Sequence, residues 1–415
     1  MLAALVMLPL AAVSGFSPRA GTPCLILLAL CAAVVACDAI RGRERVRVLR
    51  FGVPEFLRLT KNVPAILPVT VENHAGRPLE MRVALLDSIK QVAGPKGKSV
   101  VDWEIMATAR GDRAVGALHV EAPSPWGLWL ARATHPVNCT LRVYPNLRDR
   151  ATAGLFLRTA NVGMRVHRQV GKGREFENLR HYLPGDSFED IHWKATAKRG
   201  FPAVKLYRVE HAQELYAVID CSRLSAREGI LESYVEAALH LALVAERQGD
   251  RFGLVTFSDR THRFIRARNG MDHFRLCREA IYNLRAERVS PDFREAFTSL
   301  QLNLRRRSLL VFFTSLDDAL LAENFERDIP LLSRRHLVLV NIARTAAMKP
   351  LFAGDPPADL DSVYTDLAGQ MLWNRMRRLQ IALQHRGVKL AVVDPGRIKM
   401  EVTSQYLDVK RRQAL

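Results

Sequence analysis

The chain has 415 residues, 48% hydrophobic and 25% charged, which is the composition of an ordinary globular protein long enough for two or three domains with real cores. Its formal net charge of +19 points to a polyanionic neighbour, either nucleic acid or an anionic membrane surface. That charge is spread along the chain and not gathered in one tail, so no specific nucleic-acid reading is expected. The six cysteines include no C-x-x-C pair, which excludes a zinc ribbon; Cys24, Cys31 and Cys37 lie in an apolar N-terminal stretch, and Cys139, Cys221 and Cys277 sit in apolar contexts typical of buried free thiols in a reducing compartment.

Met1–Phe16 carries no charged side chain, Ser17–Pro23 is a short loop containing Arg19, and Cys24–Cys37 is again uncharged and ends at Asp38. Arg41, Arg43, Arg45, Arg47 and Arg50 come next. A signal peptide would need a charged region ahead of the first apolar run, and that region is missing. Two apolar runs around a turn, each near the lower limit of about 17 residues for spanning, predict a transmembrane helical hairpin over residues 1–40; a buried or interfacial hairpin is the alternative. The arginines place the domain after them on the cytoplasmic side.

Residues 45–150 change character. Ala65–Val71, Met81–Leu86, Val115–Val120 and Thr140–Tyr144 alternate apolar and polar residues between turn signals, which predicts an antiparallel β-sandwich. Asp87, Asp102, Glu104 and Asp112 are scattered, and His74, His119 and His135 have no ligand spacing, so all are assigned to solvated faces. Residues 151–212 form a connector.

That connector holds the densest segment of the chain, Gly173–Arg199. Pro184-Gly185-Asp186 predicts a tight turn, with Asp186 capping the stretch after it. Arg174, Arg180, Lys194, Lys198 and Arg199 face Glu175, Glu177, Asp186, Glu189 and Asp190, a mix that suits a local salt-bridge network or a docking surface. His181 and His192 stand beside carboxylates, but no nucleophile or metal set accompanies them at clear spacing, so an enzyme is not expected.

From residue 213 to 415 strand and helix alternate. Leu215–Cys221, Phe252–Phe257, Arg263–Arg266, Ser308–Thr314, His336–Asn341 and Val388–Val393 are predicted strands, the third pairing with the second as an antiparallel edge. Helices are predicted over Ser233–Arg247 (capping box Ser233/Glu236, Gly249 beyond its end), over His273–Leu284, from Ser290-Pro291 onward, after Thr314, and within Asp359–His385. Near-continuous apolar strands linked by helices predict a mostly parallel sheet covered on both faces, whose ligands would bind at the carboxyl ends of the strands. Those ends carry Asp220 and Ser222, then Ser290 and Asp292, then Thr314, Ser315, Asp317 and Asp318, a plausible oxygen set for Mg²⁺. A metal-dependent hydrolase centred on Asp220, Asp292 and Asp317 is one alternative function, and a basic nucleic-acid- or anionic-lipid-binding protein is another.

Gly173, Arg174, Glu175, Phe176, Leu179, Arg180, Tyr182, Pro184, Gly185, Asp186, Ile191, Trp193, Lys194 and Ala195 together resemble the core motif of the bacterial family named domain of unknown function 58. Arg110-Gly111 and Pro125-Trp126-Gly127-Leu128 are similar to that family's β-domain. The resemblance implies a von Willebrand factor A-like α/β domain, Rossmann-type with helices on both faces, after the motif. It also implies a metal-ion-dependent adhesion site in degenerate form. Asp220 and Ser222 match its first loop, Leu224 replaces the second Ser, Ser290 is the hydroxyl nearest the missing Thr, and Ser315 holds the third-loop Asp position, with Asp317 two residues on. Further implied are the inner membrane as location, with soluble domains facing the cytoplasm, and a MoxR-type AAA+ ATPase as partner. The resulting expectation is a non-enzymatic adaptor. Its hairpin anchors it, its motif locks the two globular domains together (so that loss of Asp186 or Trp193 lowers the stability of the whole soluble part), and the face around Asp220 engages the partner.

Overall fold

The computed structural model describes residues 21–72, 80–83, 89–91, 100–147, 170–183, 186–208, 213–227, 229–345, 348, 350 and 359–412. The chain divides into two compact units, Met1–Asn146 and Leu147–Leu415.

The first unit begins with one helix, Gly21–Val48. The second predicted apolar run and Arg41, Arg43, Arg45 and Arg47 therefore share one rod, Arg50 opens the first strand, and the first run lies outside the described residues. Ile26, Leu27, Leu30 and Val34 on this helix are exposed. Among the described residues no helix is long and apolar enough to cross a membrane. Beyond the helix stand two four-stranded sheets. The first has the order β1 (Arg50–Gly52), β3 (Pro64–Glu72), β6 (Val100–Ala107), β5 (Ile89–Gln91), all antiparallel. The second has the order β2 (Phe56–Thr60), β8 (Leu130–Tyr144), β7 (Gly111–Pro123), β4 (Glu80–Val83), and its β2–β8 pair is parallel. Period-two alternation sends Leu67, Val69 and Val71 inward from β3 and Trp103 and Ile105 from β6, where they meet Leu118, Val120, Leu141 and Val143. This is the expected sandwich, with one parallel pair. Pro125-Trp126-Gly127-Leu128 is the β7–β8 turn, and it clasps the helix. Buried Asp38 accepts hydrogen bonds from the Ser124 hydroxyl and from the Trp126 amide (2.9 Å), while Trp129 Nε1 donates to the Val35 carbonyl at 3.2 Å.

In the second unit β9 (Val170–His181) and β10 (Ala203–Arg208) form a two-stranded antiparallel ribbon that carries the motif. The main sheet has the order β13 (Thr261–Arg268), β12 (Arg251–Phe257), β11 (Glu214–Asp220), β14 (Leu309–Phe313), β15 (Leu337–Ala343), β16 (Val388–Val393). β13 is antiparallel and the others are parallel. Alternate residues of β11 feed two cores: Leu215, Ala217 and Ile219 pack under helices Ile230–Arg247 and Ile398–Arg411, and Tyr216 and Val218 under Phe293–Asn303 and Ala319–Asp328. This is the predicted Rossmann-type α/β architecture, a mostly parallel sheet with helices packed on both faces. Asp359–His385 is one helix, Leu360–His385, which Asp359 opens with a capping box to Ser362. Two predicted caps move. Ile230–Arg247 starts three residues ahead of Ser233, whose hydroxyl bonds back to the Gly229 carbonyl (2.9 Å). Asp292, not Ser290, caps Phe293–Asn303, because its carboxylate reaches the Glu295 amide (3.0 Å) while the Ser290 hydroxyl is taken by Arg223 (2.9 Å).

Gly253 on β12 leaves room for the Tyr216 ring. A Cβ there would meet that ring and come within 2.9 Å of the Ile265 carbonyl on the neighbouring strand. Gly253→Ala is therefore expected to destabilise the second unit by roughly 1–3 kcal/mol through overpacking, as chemical denaturation of the full chain would show.

Candidate functional site

The strand-end face is built as the topology predicts, but its donors are spent on one another. Asp220 is fully buried; one oxygen takes the Thr314 hydroxyl (2.6 Å) and the other the Ser222 amide (2.8 Å). Ser222 in turn accepts from the Leu224 amide at 3.3 Å. Burial pushes the Asp220 carboxyl up, and its hydrogen bonds offset this only in part. Asp317 is ion-paired with Arg227 through one oxygen and accepts the Ser315 hydroxyl through the other. The guanidinium of Arg227 thus supplies the positive charge that a cation would bring to Asp317. Arg223 ties the three loops together, bonding Ser290, Asp318 (3.2 Å) and, through its backbone amide, the Val289 carbonyl (2.9 Å). Buried Tyr234 donates to the Thr314 carbonyl (2.6 Å) and accepts from the Ala343 amide (3.0 Å), fixing the ends of β14 and β15. Each oxygen of Asp220 and Asp317 thus already has one internal partner, so a cation held by Asp220, Ser222 and Asp317 would have to share these oxygens and displace Arg227 from Asp317. The third acid proposed for a hydrolase, Asp292, is occupied as a helix cap.

Sequence reasoning missed Arg227, which looks like any surface arginine between two structured stretches. It also missed Ser258, Asp259, His262 and Glu287 beyond the end of β12. Ser258 Oγ lies 2.8 Å from Asp259, 2.7 Å from His262 Nε2 and 3.1 Å from Glu287. The Asp259, His262 and Glu287 donor atoms fall within 4.8 Å of one another, a grouping that spans too much sequence to show as a motif. The hydrogen bond from Ser258 holds the Asp259 carboxyl below its usual value. Next to them the Cys221 thiol donates to the Phe257 carbonyl (3.0 Å), and burial pushes its pKa up to about 12, far from a reactive thiolate.

The motif folds as a braced turn. Arg180 pairs with both oxygens of Asp186 (2.7 and 2.5 Å), and Asp186 also accepts the Leu183 amide (2.9 Å). These bonds from Arg180 and Leu183 hold the Asp186 carboxyl below its usual range. Asp186 thus closes the turn behind it and caps no helix ahead of it; His192 caps helix Trp193–Arg199 by accepting the Ala195 amide at 3.1 Å. Buried Ile191 bridges to Val204 on β10. The expected salt-bridge network reduces, among the described side chains, to the Arg180–Asp186 pair, with Lys194, Lys198 and Arg199 exposed. Gly173, Arg174, Glu175 and Phe176 lie on β9, and Pro184 and Gly185 fall outside the described residues. Leu179, Tyr182 and Ala195 are half-buried. Trp193 is 68% exposed, because its seven-residue helix buries none of its side chains and only Ile191, ahead of it, turns inward. Leu183 (58%) and Phe188 (71%) are exposed with it, Phe188 stacked on Tyr182 at 5.8 Å between ring centroids.

Residues 178–350, from within the motif to beyond β15, match the family described as Protein of unknown function DUF58. Solved structures similar to it include BatB from Bacteroides thetaiotaomicron, 11% identical, covering 48% of this chain and 99% of that one with a TM-score of 0.30. An aerotolerance-related membrane protein from Bacteroides fragilis is 12% identical, covering 47% of this chain and 98% of that one with a TM-score of 0.27. The SpRpn10 VWA domain is 11% identical, covering 44% of this chain and 89% of that one with a TM-score of 0.27. No curated protein matches the chain.

Proposed function

We propose that this DUF58 protein is a non-enzymatic adaptor, anchored in the inner membrane by its N-terminal apolar segments, that docks a MoxR-type AAA+ ATPase on the cytoplasmic side during maturation of client complexes. The observation that carries the docking step is the exposure of Leu183, Phe188 and Trp193 on a turn held rigid by the Arg180–Asp186 pair, flanked by the cations Lys194, Lys198 and Arg199. Large aromatic side chains on a pre-ordered backbone are the usual centre of a binding hot spot, since little entropy is lost on docking. The strand-end acids favour this reading over hydrolysis because each is consumed by an internal bond. Binding of purified full-length protein in mild detergent to a purified MoxR-type ATPase with Mg²⁺-ATP tests it. Trp193→Ala is expected to weaken the complex by roughly 2 kcal/mol, about 30-fold in Kd. Equal affinity for the variant would move the interface off the motif, and no binding of the wild type would retire the adaptor reading.

A further inference from the structure

On the first unit, the N-terminal helix and β8 enclose an open groove of about 420 Å³ lined by Arg43, Arg47, Arg132, Ala133, Thr134 and His135. Arg43 and Arg47 are one helical turn apart and share a face. Arg132 extends into solvent with its Nε 2.7 Å from Glu121, and among the described residues no carboxylate pairs with Arg43 or Arg47. His135 is held by the Val46 carbonyl (2.9 Å) and lies tilted against Phe51, with ring centroids 4.9 Å apart. Three guanidinium groups thus converge against one carboxylate. Beside the groove, the β7–β8 turn exposes Trp126 (54%), Trp129 (49%) and Leu130 (66%), in line with the exposed apolar side chains of the helix before Asp38. The aromatic pair is fixed to the helix at Val35 and Asp38. A rise of about 1.5 Å per residue then puts Arg43 roughly 8 Å further along the helix axis and Arg47 about 14 Å. The headgroup layer of one leaflet is about 5–8 Å deep. Tryptophans at the boundary of the hydrocarbon, Arg43 at phosphate depth and Arg47 just outside the headgroups, within the Debye length over which anionic lipids attract cations, are the arrangement that an anionic bilayer surface rewards.

We infer that the groove of Arg43, Arg47 and Arg132 binds the phosphodiester headgroup of an anionic phospholipid, while Trp126, Trp129 and Leu130 sit in the interfacial layer beside it. The inference rests on the membrane anchoring proposed above. It favours lipid over nucleic acid because exposed apolar side chains stand both on the turn next to the arginines and on the helix to which that turn is bonded, and would stay uncovered on a nucleic-acid backbone. The test uses full-length protein reconstituted in nanodiscs of phosphatidylcholine with a minor fraction of phosphatidylglycerol. Native mass spectrometry then counts the lipids retained after release. Wild type is expected to retain phosphatidylglycerol preferentially. The triple variant Arg43→Gln/Arg47→Gln/Arg132→Gln, still incorporated and with an unchanged melting curve, is expected to lose that preference on the order of 100-fold, about fivefold per arginine. Incorporation with equal retention of both lipids, or retention unaffected by the triple variant, overturns the headgroup site and leaves the anchor standing. Failure of the wild type to incorporate overturns both. A thermal shift with inorganic phosphate in detergent, without lipid preference, makes the groove a site for a soluble anion and overturns the lipid assignment.

Discussion

Asp220→Ala should lower the unfolding free energy of the second unit by about 2–4 kcal/mol, because it strands the Thr314 hydroxyl and the Ser222 amide in a buried site where each unsatisfied group costs about 1–3 kcal/mol. Asp220→Asn should cost less, since an amide keeps one acceptor and removes a charge that burial disfavours. The pH dependence comes from the raised carboxyl. A folded-state pKa above the unfolded one contributes stability at low pH that is lost as pH rises through the folded value. The deficit of Asp220→Asn relative to wild type should therefore shrink as pH rises, and a deficit that widens would mean the carboxylate is stabilised by a positive neighbour. Added Mg²⁺ should leave the wild-type melting temperature where it is. Arg227→Ala is the companion change. It leaves Asp317 with the Ser315 hydroxyl alone, at a cost of about 2 kcal/mol, typical for a hydrogen bond to a charged group. It also vacates a position beside Asp317 in which Mg²⁺ could begin to stabilise the fold. Denaturant titrations of the four proteins with and without Mg²⁺ separate these outcomes, and Mg²⁺ stabilisation of the wild type would sink the view that arginine has taken the place of the cation. Because Asp220→Ala disturbs folding, any loss of partner binding in that variant would reflect the sheet edge before it reflected an interface.

The fold was legible where a single period governs a stretch. The unbroken apolar runs Leu215–Ile219 and Leu309–Phe313 read as strands covered on both faces, and the alternation of Ala65–Val71 as half of a sandwich. Local competition between hydroxyls and carboxylates was not legible. Ser290 and Asp292 are both good caps, and the choice fell to Asp292 because Arg223, from a loop distant in sequence, claimed Ser290. The site failed for the same reason. Asp220, Ser222 and Asp317 do come to the sheet edge, but whether they face a cation depends on Arg227, whose pairing with Asp317 crosses many residues of chain. Asp38 shows the limit at the other end of the protein. It reads as the polar stop of an apolar run, and only the fold shows that it is the acceptor around which Ser124–Trp129 closes. A tryptophan inside a dense motif invites a core assignment by composition; Trp193 is outside because its short helix has no buried face.

Within the motif, stability and binding should separate cleanly. Asp186→Ala removes the bidentate partner of Arg180 and the acceptor of the Leu183 amide, so the turn that presents Phe188 and Trp193 should open, raising proteolytic cleavage between residues 182 and 192. The depressed carboxyl of Asp186 gives the sign of the pH effect. A folded-state pKa below the unfolded one contributes stability that is present above the ordinary carboxylate value and is lost as pH falls through the lowered one. Wild-type turn protection should therefore decay in acid, while Asp186→Asn should be cleaved at a rate that hardly changes over the same range. Trp193→Ala and Phe188→Ala should do the reverse. Side chains this exposed alter stability by no more than about 0.5 kcal/mol, so melting and cleavage should match wild type while affinity for the ATPase falls. If Trp193→Ala instead lowered the melting temperature as Asp186→Ala does, the indole would be packing against protein, and the motif would be a structural joint and not a docking surface.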